Sequence, residues 1–292
     1  MRYKKTLKEL TIKDNFLFGA VMSDEENCRC LLELILGTSL SRVKVNKEKS
    51  IVYHPGYKGI RLDVYAGDEN NTRYNVEMQT LQKPALGKRA RYYHSQIDME
   101  LLQAGADYSE LPDTYVIFIC DFDPFGAGKY VYSFENSCRE AKDVKLREGS
   151  KSIFLSTRGT NFQEVSQPMV KFLDYVGANL KSSTEDFEDA FVARLQRSVQ
   201  SVKESRELEE RYMLFEEMLR DERAEGKAEG RAKGKAEAVL DILLDILQEL
   251  GPVSADLKEK ILAQSDAEIL RSWVKVAIRA QSVEQFEKDI MS

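Results

Sequence analysis

An α/β sandwich followed by a long helical extension is the fold this sequence predicts, and three stretches predict it. Residues 60–80 alternate apolar and polar side chains around a turn-rich GDENN segment, the pattern of a β-hairpin. Residues 114–121, TYVIFICD, form a near-continuous apolar run, as expected of a strand buried on both faces. From about residue 166 the spacing turns helical and stays so. Helices at the start, a central sheet and an intervening helix make the first part a sandwich.

Taken in order, residues 13–37 read as helix, with Ser23 as N-cap, Glu26 closing a capping box and Gly37 as the stop. Residues 42–53 alternate enough for one or two strands. In the hairpin, Ile60, Leu62, Val64 and Ala66 alternate with Arg61, Asp63 and Tyr65, and Tyr74, Val76 and Met78 alternate with Asn75, Glu77 and Gln79. Residues 86–104 have helical spacing, and 130–135 and 152–157 are further strand candidates. Residues 220–238, RDERAEGKAEGRAKGKAEA, place Gly226, Gly230 and Gly234 at a period of four. Each interior helical glycine costs about 1 kcal/mol relative to alanine. That stretch is therefore either a fraying linker or a helix that packs closely through its small residues. Residues 239–250 are strongly amphipathic and end at Gly251-Pro252, and 253–292 hold two or three short helices around the single Trp273. These readings divide the chain into a core domain, 1–205, a charged Gly/Ala-repeat helix or linker, 206–250, and a small helical tail, 251–292.

Composition bounds the function. The 292 residues are 42% hydrophobic and 32% charged, enough for one substantial core with a long solvated helix. No stretch approaches the roughly 18 consecutive apolar residues of a membrane span. The N-terminus lacks the apolar segment of a signal peptide, so a cytoplasmic location is expected. Cys28, Cys30, Cys120 and Cys138 form no CxxC pair and read as free thiols. The net charge of −6 is unevenly spread, since residues 1–100 carry 17 Lys and Arg against 13 Asp and Glu. Residues 81–97 hold Lys83, Lys88, Arg89 and Arg91 and no acid, a candidate phosphate-binding patch or an ordinary basic helix face.

The chemistry-bearing constellation lies in the hairpin. Glu77 and Gln79, two apart in a strand, share one face, and Asp63 comes from the strand before. Two neighbouring carboxylates are unfavourable unless a cation sits between them. Oxygen-rich sites of this kind suit Mg2+ or Mn2+, which lower the pKa of bound water and stabilise charge on a phosphodiester. The plain alternative is the polar side of a sheet with one wet face. Asp14 reads equally as a helix N-cap or as an acid reaching the site. His54 and His94 are isolated and read as surface or core histidines, and Asp121 and Asp123 read as turn formers before Pro124.

These residues resemble a family. The D-(x)n-E-x-Q hairpin is similar to that of the PD-(D/E)xK nucleases, and more closely to the recombination-promoting nucleases (Rpn) of bacteria, transposase-like enzymes. Carrying the resemblance are Lys13-Asp14-Asn15 with Phe16 and Phe18, LDVYAGDENNTRYNVEMQ, KRARYYHSQIDMELLQAGADYSEL, VIFICDFDPF and the EGKAEGRAKGKAEA repeat, over roughly residues 11–240. It implies a restriction-endonuclease-like αβββαβ core with Asp63, Glu77 and Gln79 as catalytic residues. The metal ligands would be Asp63, Glu77 and the Met78 carbonyl, with Gln79 in the place of the usual lysine. Glutamine offers the transition state only a dipole, and Arg89 or Arg91 could supply the charge. Tyr93 matches an aromatic of the family, with core packing the favoured role. The expected function is a Mg2+- or Mn2+-dependent DNA endonuclease linked to recombination or mobile elements, binding DNA through Lys88, Arg89 and Arg91. The alternatives are a catalytically silent DNA-binding or scaffolding protein of the same fold, and a nuclease for RNA or branched substrates. The apolar stretch 239–250 must be buried, either against 253–292 of the same chain or in a homodimer through the C-terminal helices.

Overall fold

The protein is described here by a computed structural model covering residues 5–46, 50–51 and 60–291. His54 and the middle and end of the expected 42–53 strand lie outside the described residues. Two compact units result, Met1–Tyr212 and Met213–Ser292.

The first unit opens with α1, Asn15–Met22, and α2, Glu25–Leu36. The single helix expected over 13–37 is broken at Ser23-Asp24. Asp24, not Ser23, caps α2, because its carboxylate accepts from Asn27 N at 2.8 Å while the Ser23 hydroxyl is spent on Ala20 O. Gly37 ends α2 at φ 69°, a left-handed conformation that a Cβ would penalise.

Strands β1 (Val43–Asn46), β2 (Ser50–Ile51), β3 (Ile60–Arg61), β4 (Val64–Asp68) and β5 (Arg73–Gln79) follow, then α3 (Leu86–Leu101), β6 (Thr114–Cys120), β7 (Val131–Phe134) and β8 (Ser150–Ser156). β2 and β3 form a separate pair, and the six remaining strands form one sheet in the order β1-β4-β5-β6-β8-β7. β1, β4 and β5 are an antiparallel meander, and β6 runs parallel to β5 after the α3 crossover. The succession α2-β1-β4-β5-α3-β6 is the αβββαβ core of a restriction-endonuclease-like fold.

β5 and β6 lie in the middle of the sheet and are buried on both faces, which is why TYVIFIC carries so little polarity. One face packs on α3, where Tyr93 stacks on Phe118 and Phe118 on Phe154 at a centroid distance of 5.2 Å. α4 (Gln167–Gly177) and α5 (Ala190–Glu204) complete the unit, and α5 packs against α1 and α2.

The hairpin departs from strict alternation. The backbone bends at Leu62-Asp63 between β3 and β4, so Leu62 and Tyr65 both join the core cluster under α3. The expected uninterrupted strand is therefore corrected to two strands around a bend. The bend goes with a contact across strands: Asp63 Oδ2 accepts from Met78 N at 3.1 Å, so a side chain takes a donor of β5 just where the β4–β5 pairing ends at Val64–Val76.

α6 runs unbroken from Arg206 to Leu250. Its start belongs with the first unit, since Tyr212 stacks near Phe16 and donates to Lys5 O at 3.1 Å. Its end belongs with α7 (Ala255–Ala263), α8 (Ala267–Arg279) and α9 (Val283–Met291). Leu243 and Leu247 are fully buried in one core with Leu257, Ile261, Leu270 and Phe286. The stripe that demanded burial is thus covered within the chain, and the homodimer built on it has no support in the packing. A Cβ added at Gly226, Gly230 or Gly234 would meet nothing within 4 Å, so close packing through these glycines is not seen either. No described helix is long and apolar enough to cross a membrane.

Candidate active site

The structure brings Asp63, Glu77 and Gln79 into one cluster at the end of the β4–β5 hairpin. The Asp63 amide donates to Glu77 Oε1 at 3.3 Å. Glu77 and Gln79 are 1% and 7% exposed, which disposes of the wet-face reading: in a central strand, polar groups at this depth need partners.

Their main partner is Arg89, one turn into α3. Its Nη2 donates to Glu77 Oε2 at 2.6 Å and its Nη1 to Gln79 Oε1 at 3.0 Å. Its Nε donates to the Tyr93 hydroxyl at 2.7 Å, and the guanidinium lies over the rings of Tyr93 and Phe118. Arginine has only donors, so Gln79 must turn its oxygen toward Arg89, leaving its amide to donate to Met78 O at 2.9 Å. Arg89 is therefore turned into the site, while Lys88 and Arg91 stand exposed on α3. The patch expected of Lys88, Arg89 and Arg91 is corrected on this point, because at an i,i+4 spacing the helix faces Arg89 and Tyr93 inward together. Tyr93 is both packed in the core and bonded into the site.

Burial first, then the charge of Asp63, pushes the Glu77 carboxyl well above the usual carboxylate range, and Arg89 only partly offsets them. Asp63 is also held from α1, where Asn15 Nδ2 donates to its Oδ2 at 3.0 Å. Asp14, which reads equally as an N-cap or as an acid reaching the site, sits at the N-cap position of α1 and does not reach Asp63. Asp14 instead accepts from the Thr11 amide at 2.7 Å and faces Lys5, fixing the turn before α1. Asn15 carries no signal of this role in the sequence, because an asparagine opening a helix has an ordinary structural explanation. Asp121, read as a turn former, pairs with Lys13 at 2.8 Å and accepts from Thr157, tying the segment before α1 to the end of β6. Asp123 does shape its loop, accepting from Gly128 N and the Tyr132 hydroxyl. His94 is buried between Thr114 and Ser152.

Among the described residues no three His, Cys, Asp or Glu side chains converge, so a cation here would have two carboxylates and must complete its shell with other oxygens. The donor set fits a hard divalent ion, since Asp63, Glu77 and the Met78 carbonyl are all oxygen ligands. The fully buried Asn75, on the same face as Glu77, makes no well-formed hydrogen bond through its amide, though it lies near enough to the Glu77 carboxyl to favour its charged form. Such an under-bonded amide is what a cation's water would satisfy.

The model of the PD-(D/E)XK nuclease family transposases matches residues 12–229. The chain belongs to this family. No curated protein and no solved structure matches it. The matched span includes Asn15, Asp63, Glu77, Gln79 and Arg89, so every side chain of the cluster lies inside the family region. Nucleases of this family generally use divalent metal ions and act on DNA.

Proposed function

We propose that this family member is a Mg2+- or Mn2+-dependent DNA endonuclease of the recombination-promoting type. The observation that supports it most is the pairing of Asp63, half-buried at the bend before β4, with Glu77, buried in the central strand β5, where two neighbouring carboxylates without a cation are costly. Asp63, Glu77 and the Met78 carbonyl would hold the ion, which supplies a water of lowered pKa and neutralises charge on the phosphodiester.

The chain's own residues do the rest. Asn15 and the Met78 amide orient Asp63. Arg89 sets the side-chain orientation of Gln79, whose amide nitrogen spends one hydrogen on Met78 O and would offer the other to the attacking water or a phosphate oxygen. Arg89 also places a full positive charge where related sites use lysine, and so restores the electrostatic stabilisation that glutamine lacks. Lys88 and Arg91, exposed on α3, would contact phosphates.

One observation favours a second reading. Arg89, 2.6 Å from Glu77, already places a positive charge against that carboxylate, as expected of a silent DNA-binding protein in which arginine stands in part for the ion. Plasmid nicking decides: supercoiled DNA should be nicked with Mg2+ or Mn2+, not with chelator, and not by Asp63→Ala. Equal nicking by Asp63→Ala, or none by the wild type with either ion, rejects the nuclease.

A further inference from the structure

We infer that the end of the β4–β5 hairpin away from the catalytic carboxylates carries a second, cationic subsite for the DNA backbone, built by Arg42, Lys44 and Arg73 around Gly67. The inference rests on the nuclease reading for the identity of the strand bound there.

The pocket follows from register. Lys44 of β1 pairs with Gly67 of β4, and Gly67 pairs with Arg73 of β5, so one row across three strands reads lysine, glycine, arginine. Neighbouring strands are about 4.8 Å apart, which sets the two cationic residues roughly 10 Å apart with a bare backbone between them. A Cβ on Gly67 would fall 2.6 Å from Arg73 Nη1, so the guanidinium lies across the place a side chain would fill. The result is a cavity of about 500 Å3. Arg42, two residues from Lys44 and on the same face, lines it as well.

Charge points to an anion. The cavity's two acids are already spent as acceptors. Asp68 accepts from the Asn70 and Thr72 amides and the Tyr74 hydroxyl, and Glu69 from the Ser41 and Arg42 amides. Lys44 and Arg42 stand exposed, while Arg73 is partly engaged, bonded to Asn71 O at 3.2 Å and facing the Tyr65 hydroxyl. Cations that face outward beside carboxylates that face inward make a site for phosphate rather than for a metal.

Position points to a polymer. Counting along β4, Gly67 is four residues from Asp63, and along β5 Arg73 is four from Glu77, about 13 Å at the rise of a strand. Duplex DNA rises about 3.4 Å per nucleotide, so the subsite would hold the backbone no nearer than about four nucleotides to the cleaved bond. The row between, Tyr65 opposite Asn75, is buried under α3, so the backbone would pass over that helix rather than along the sheet, and about four nucleotides is the shortest separation.

The test is binding of a short DNA duplex to the full chain, without divalent ions, over a salt series. Each phosphate contact contributes about 0.9 to the slope of log K against log salt. Arg42→Gln/Lys44→Gln/Arg73→Gln should bind at least tenfold more weakly near physiological salt, with a slope shallower by about 2 to 3. Gly67→Ala, which keeps every charge, should also weaken binding by displacing Arg73, and it guards against a folding defect in the triple variant. Unchanged slopes in variants that melt like the wild type overturn the subsite, as does a wild type that binds no DNA. Nicking is read separately. Salt-dependent binding that the variants lose, in a protein that never nicks, would retain the subsite and reject the nuclease.

Discussion

Arg89 Nη2 lies 2.6 Å from Glu77 Oε2, and the same guanidinium reaches Gln79 Oε1 at 3.0 Å. One residue of α3 thus compensates a buried carboxylate on β5 and positions the glutamine two places along. A lysine at position 79 could not be held in this way, because two cations would meet.

Removing Arg89 should therefore harm both activity and stability. Arg89→Ala is expected to lower nicking by about 100-fold or more, the scale of losing a preorganised charge at a transition state. It leaves Glu77 buried without its partner, but Arg89 is 30% exposed, so the stability loss should be at the low end for such pairs, about 1–3 kcal/mol. Arg89→Lys should recover part of the activity and lose the grip on Gln79. Full nicking by Arg89→Ala would remove arginine from the proposed chemistry.

Glu77 predicts a pH-dependent response to metal. Its folded pKa is raised, so in the metal-free protein it contributes stability at low pH that is lost as pH climbs from the ordinary carboxylate range toward neutrality and beyond. A cation bound to the ionised form reverses that loss. Mn2+ or Mg2+ should raise the melting temperature more at pH 8 than at pH 6, and Glu77→Gln should abolish the difference. Equal shifts at both pH values in the wild type would argue against a metal at Glu77.

His94 has the opposite sign. Burial between Thr114 and Ser152 lowers its pKa from 6.5 to about 4, so the unfolded chain takes up the proton first. Stability is intact above pH 6.5 and is lost as pH falls through this window, by up to about 3 kcal/mol. Urea titrations from pH 7.5 to pH 4.5 should show a steeper decline for wild type than for His94→Gln. Parallel curves would mean that His94 does not titrate in this range.

The three glycines of α6 predict a gain. Nothing lies within 4 Å of a Cβ at Gly226, Gly230 or Gly234, so alanine fits without strain. Each substitution should favour the helix by about 1 kcal/mol. Hydrogen exchange across 220–238 should slow in the triple-alanine variant. Unchanged or faster exchange would show that these positions are not free helix in solution.

Much of the site was readable before any tertiary information. Period-two spacing put Glu77 and Gln79 on one face, the turn-rich GDENN joined their strand to the one before, and the run at 114–121 marked a strand buried on both faces, which the structure pairs parallel to β5. These are local consequences of pleat and turn chemistry, which a few residues determine. Other features had no local signal. Arg89, Lys88 and Arg91 look alike as letters, and only the packing of α3 on β5 and β6 turned the first inward. The bend at Leu62-Asp63 depends on a donor of another strand, Met78 N. Asn15 reaches Asp63 across 48 positions. The stripe at 239–250 declared that it must be buried but not by what, and the answer lay in α7, α8 and α9. Residue type and spacing determined the elements and the pair of acids. Long-range packing decided which charges meet, because a side chain's partner is set by the elements stacked on it and not by its neighbours in the chain.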